Sequence, residues 1–162
     1  MIRVALTVLV AVALLAAATP ALEDARASAT AERLDAETDR VERDIGAFVA
    51  GSVSVSDPAL AAQTSVTVRA PSGFGAASID RLALVETAEG ESASAAGDGA
   101  SVALRYRIDG GPERTVPIAP GGARATVAVD GGAVALRPGG ESRLRLRLVD
   151  DGGPTVRIAR VG

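Results

Sequence analysis

The chain has 162 residues, with 20 acids against 17 bases for a formal charge of −3, and every base is arginine. Lysine, histidine, cysteine, asparagine and tryptophan are absent. Those absences exclude disulfides, thiolate and Ser-His nucleophiles, Schiff-base lysines, the common zinc and copper sites and N-glycosylation, leaving carboxylates, hydroxyls and guanidinium groups for chemistry.

Val4 to Leu22 carries no charge. As a helix this run spans about 28 Å, close to the hydrocarbon thickness of a bilayer. Arg3 precedes it and Glu23 and Asp24 follow. The positive-inside rule therefore places the N-terminus in the cytoplasm, a single pass in the cell membrane over residues 1–22, and the bulk outside. Two readings stand. Retained, the segment is a transmembrane anchor; cut after the small-residue run Ala16-Ala17-Ala18, it is a secretory signal and the remainder is secreted.

Residues 23–50 read as an amphipathic stalk helix. Ala27, Ala31, Leu34, Thr38, Val41, Ile45 and Phe48 follow 4-3-4-3 spacing and form one stripe, with the charges off it. Arg33–Glu37, Asp39–Arg43 and Arg40–Asp44 sit at i,i+4 as expected ion pairs. Leu34, Val41, Ile45 and Phe48 are the candidate packing seam. It serves either to dock the helix on the following domain or, as a coiled coil, for self-association.

From Gly51 the period changes to two. Val53/Val55, Val66/Val68, Leu82/Leu84, Leu104/Tyr106/Ile108, Val127/Val129, Leu144/Leu146/Leu148 and Val156/Ile158 each alternate with polar or small residues. Asp109-Gly110-Gly111-Pro112, Asp130-Gly131-Gly132 and Asp151-Gly152-Gly153-Pro154 are read as hairpin turns. Gly90–Gly99, rich in small residues, is read as a mobile loop. The expected class is α+β: a transmembrane and stalk helix, then an all-β antiparallel sandwich or barrel over residues 51–162.

Charge is segregated. Residues 23–57 carry nine acids and four arginines, whereas residues 101–162 carry six acids and ten arginines. Arg105 and Arg107 alternate with Leu104, Tyr106 and Ile108; Arg143, Arg145 and Arg147 alternate with Leu144, Leu146 and Leu148. Were the two strands neighbours, these five arginines would form one basic face for an acidic partner, an envelope polymer or the acidic stalk. Nucleic acid is not an expected partner, because no aromatics interleave with the bases for stacking. No metal, cofactor or catalytic residue is assigned. The aspartates at 109, 130, 150 and 151 sit where hairpin tips need them, without the alternating acidic ligands of a calcium loop. A carboxylate-only glycosidase would want aromatic platforms that the chain lacks. The expectation is a protein that is not an enzyme.

The start MIRVALTVLVAVALLAAATPALEDAR, the acidic-Arg helix and the ending ESRLRLRLVDDGGPTVRIARVG resemble an uncharacterised family of small membrane-anchored proteins of halophilic archaea. The resemblance implies a companion of secretion or type IV pilus-like machinery, with protein partners in an envelope assembly. An apolar helix continuing into an amphipathic one before a β domain is also similar to pilins and pseudopilins. Positions 4–8 read Val-Ala-Leu-Thr-Val, without the acidic residue of a mature pilin helix and without a charged leader before them. A bitopic accessory is therefore expected rather than a filament subunit.

Overall fold

The computed structural model describes residues 2–87, 102–119 and 125–161. One helix, α1 (Ile2–Ala50), precedes eight strands: β1 (Ala62–Arg69), β2 (Ile79–Glu86), β3 (Val102–Ile108), β4 (Arg114–Ile118), β5 (Thr126–Val129), β6 (Ala133–Ala135), β7 (Glu141–Asp150) and β8 (Pro154–Arg160). The strands form two four-stranded sheets, ordered β1-β7-β8-β5 and β4-β3-β2-β6. The fold is thus α+β, a long helix with a β-sandwich.

α1 runs unbroken through Pro20 for 49 residues, a rod of about 73 Å. Its first half stands bare: Val4, Leu6, Leu9, Leu14 and Leu15 are each more than 60% exposed. This half is long and apolar enough to cross a membrane. Within it the hydroxyls of Thr7 and Thr19 donate to the carbonyls of Arg3 and Leu15 one turn back, so neither is left unsatisfied in an apolar surrounding.

The second half is part of the sandwich core. Leu34 and Ile45 are fully buried, Ala31 and Val41 nearly so, and Phe48 packs against the same cluster as the strand residues. Buried Thr38 donates to the Leu34 carbonyl, and Thr30 accepts the amide N–H of Ala77. The helix lies against β1, β3 and β4, so it fills the open side between β1 and β4, the edge strands of the two sheets. Edge strands present unpaired N–H groups, and the helix satisfies two at this side. Glu37 Oε1 accepts the N–H of Arg69 and Glu42 Oε1 that of Ala119, both at 2.8 Å. With its apolar stripe spent on the sandwich, residues 23–50 expose no large apolar side chain. The seam is covered by the protein's own strands, which removes the structural basis for self-association through it.

The expected i,i+4 ion pairs do not form among the described residues. Glu37 turns to the edge strand and to Arg40 (3.4 Å), while Arg43 donates to the backbone carbonyl of Asp39. An edge-strand N–H without a backbone partner gives a carboxylate a fixed, charge-assisted hydrogen bond, whereas an exposed ion pair on a helix surface contributes little.

Two of the three Gly-rich turns close hairpins. Asp109 (φ 47°) and Gly110 (φ 66°) make the left-handed pair that joins β3 to β4. Asp109 also caps the segment leading into β2, its Oδ1 accepting from Ser78 N–H. Asp151-Gly152-Gly153 joins β7 to β8. Asp130-Gly131-Gly132 is a tight turn, with Gly132 N–H donating to the Val129 carbonyl, but it carries the chain from one sheet to the other. Glu86 braces that corner by accepting the Val129 N–H. The sandwich is antiparallel as the turn spacing predicts, except that β5 lies beside β8 in parallel. Val53 and Val55 do not form a strand either. Val53 is exposed, and Val55 makes one isolated parallel bridge to Val149. The stretch Gly90–Gly99 lies outside the described residues.

Candidate functional site

The five arginines expected on one face occupy two. β3 and β7 belong to different sheets, so Arg105 and Arg107 point outward on one side of the sandwich and Arg143, Arg145 and Arg147 on the other. Alternation decides which side of a strand a residue takes; it does not decide which strand lies alongside.

The two sides differ electrostatically. On the β3 side one carboxylate, Glu113, holds three guanidinium groups: Arg105 at 3.5 Å and Arg81 and Arg107 at 3.9 Å. On the β7 side Arg143, Arg145 and Arg147 stand opposite Thr67, Ser65 and Gln63 of β1, and across from Arg147 on β8 is Arg157. Arg157 pairs with Asp130 and Asp151. The other three make no ion pair among the described residues, and the Nε of Arg147 is buried without a hydrogen bond. This side carries a row of three arginines without ion pairs, with neutral side chains beside it on β1 and charged pairs, Arg69–Glu141 and Arg157 with its two aspartates, at its ends.

A second feature lies where the helix meets the sandwich. A cleft of about 790 Å³ opens between helix residues 23–31 and the β1–β2 and β3–β4 loops, with Arg26, Arg114, Glu23, Asp24 and Asp109 in its walls. Tyr106 reaches it from the core: the residue is 1% exposed, and its hydroxyl donates to Asp35 Oδ1 of the helix at 3.5 Å. Burial, followed by the Asp35 carboxylate, pushes the phenol above its ordinary range, while Arg114 pulls the other way. Because the folded pKa is raised, the stabilisation is complete below the unfolded phenol's pKa and is lost as pH rises toward the folded value. Tyr106 is the chain's single tyrosine, so tyrosinate absorbance reports it alone. An alkaline titration of the folded protein is expected to give a midpoint above that of the denatured chain. As pH rises from the unfolded phenol's pKa toward the folded one, melting temperatures are expected to fall more steeply in the wild type than in Tyr106→Phe.

Both signs of charge line this cleft, and no three His, Cys, Asp or Glu side chains among the described residues converge as a metal site. Its chemistry is that of a polar contact surface. The family model described as a domain of unknown function (DUF7311) matches residues 1–161. The chain belongs to that family. No curated protein and no solved structure matches it. The DUF7311 match takes in the apolar segment, the docked helix and the sandwich, of which the last two share one core.

Several residues that organise this DUF7311 chain carry no sequence signal. Glu37 and Glu42 look like any exposed helical acids, and Glu113 like any turn residue. The seam is placed as follows: Leu34, Val41 and Ile45 inside the sandwich core, Phe48 at its margin.

Proposed function

We propose that this protein is a membrane-tethered, extracytoplasmic interaction module that works without catalysis, and that its partners belong to an envelope assembly of the secretion or type IV pilus-like kind. The observation that carries this reading is the continuity of α1. The same uninterrupted helix supplies the bare apolar segment and three fully or nearly buried core residues, Leu34, Val41 and Ile45. The sandwich is therefore fixed to its anchor without a linker, which suits a part that must be held in a set position beside membrane partners. The native lack of cysteine makes a single reporter thiol straightforward. In Ser65→Cys, on the outer side of β1, a membrane-impermeant maleimide is expected to label intact cells. Labelling only after lysis would overturn the orientation. A photo-cross-linker on the same thiol is expected to capture a filament subunit or a polytopic membrane protein; cross-links confined to lipid would overturn the interaction role.

The unpaired row Arg143, Arg145 and Arg147 favours a second reading, an anion-binding face. Guanidinium groups without counter-ions bind polyanions with a steep salt dependence. Retention of the wild type, and not of a triple Arg→Ser variant, on an anionic polymer at low salt would support it.

A further inference from the structure

Outside the apolar half of α1, the large apolar side chains that the described residues expose are Val53, Leu60 and Phe74, and Phe74 is the most exposed at 92%. Its place in the fold is informative. Phe74 sits in the Pro71-Ser72-Gly73-Phe74-Gly75 loop between β1 and β2, in a turn closed by Ala76 N–H on the Gly73 carbonyl. The loop is tied to the helix by Ala77 N–H on Thr30, and the Arg26 guanidinium lies 5.1 Å from the centre of the Phe74 ring. Arg26 is four residues beyond Leu22, the last residue of the uncharged run, which is about 6 Å along the helix. The headgroup layer on each side of a bilayer is roughly 5–8 Å thick. Through Arg26, Phe74 is thus within side-chain reach of the headgroup layer of a bilayer that holds residues 4–22. Val53 and Leu60 are at the other end of the sandwich, beside the helix C-terminus and the start of β1.

We infer that Phe74 is a second membrane contact: the β1–β2 loop inserts its ring into the lipid interface, with the Arg26 stem beside it and its guanidinium at headgroup level. The inference rests on the anchoring reading above. A helix alone leaves the sandwich free to rotate about the helix axis and to tilt; a ring lodged in the interface to one side of that axis fixes which face looks down. Lipid contact accounts for an exposed phenylalanine on the membrane-facing end of a domain that otherwise hides its aromatic.

The chain has no tryptophan, so Phe74→Trp and, as the reference, Val53→Trp are tryptophan reporters without background at exposed positions. Each full-length variant is reconstituted into phosphatidylcholine vesicles containing phosphatidylcholine brominated near the glycerol end of the acyl chain. The expected result is blue-shifted, strongly quenched emission from Phe74→Trp and water-like, unquenched emission from Val53→Trp. If the chain floats with the vesicles but both indoles emit as in water, the loop contact is overturned while the anchor stands. If both are quenched alike, the end-on geometry is overturned. If the chain does not float with the vesicles, the anchoring reading falls and the loop contact with it.

Discussion

A chain beginning at Ser52, containing every strand but none of α1, is expected not to fold, whereas one beginning at Glu23 folds as a soluble monomer. The helix supplies Leu34, Val41 and Ile45 to the core. Burying three such side chains contributes about 5–9 kcal/mol, as large as the whole stability of an ordinary domain. Removing the helix would also strip Glu37 and Glu42 from the N–H groups of Arg69 and Ala119, leaving two sheet edges open to pairing with other chains. Circular dichroism and sedimentation of the two chains decide the matter. A Ser52 chain that melts cooperatively as a monomer would show that the sandwich is complete in itself and the helix merely rests on it.

The second large effect lies in β7. Leu146→Ala is expected to cost roughly 2–5 kcal/mol, a fall in melting temperature on the order of 10 °C. Leu146 is 1% exposed on a strand hydrogen-bonded on both sides, opposite Thr64 of β1 and Ile158 of β8. A strand held from both sides cannot shift to close the cavity. Its neighbours in sequence should behave oppositely. The triple change Arg143→Ser, Arg145→Ser and Arg147→Ser removes like charges that no carboxylate offsets and relieves the buried Nε of Arg147. It should leave stability within about 0.5 kcal/mol of the wild type. Thermal melts of both variants at one salt concentration test the pair. An unfolded triple variant beside an unaffected Leu146→Ala would mean that the arginines, not the leucines, face inward.

What could be read beforehand follows from which forces act locally. The leucines of β7 and the stripe of α1 declare themselves because burial on one face imposes a period of two or of about 3.6. The Asp-Gly-Gly signals report backbone handedness and nothing about destination, so the turn at Asp130 looked like a hairpin although it crosses between sheets. The same gap separated Arg105 and Arg107 from Arg143, Arg145 and Arg147, since strand order is decided by contacts distant in sequence. β4 and β6 carry no such period, for a different reason. β4 includes Pro117, tolerated because it is an edge strand, and β6 is only Ala-Val-Ala. The carboxylates at Glu37 and Glu42 acquire their roles only when the sheet edges arrive beside them.

The unbroken α1 has one more implication, which concerns leverage. From Leu22 to Ala50 the helix reaches about 42 Å beyond the apolar segment. A span that tilts by about 20° to match a thinner bilayer would swing its far end sideways by roughly 14 Å. With no joint between span and sandwich, a change in lipid thickness becomes a displacement of the outermost loops by more than the spacing between two packed helices.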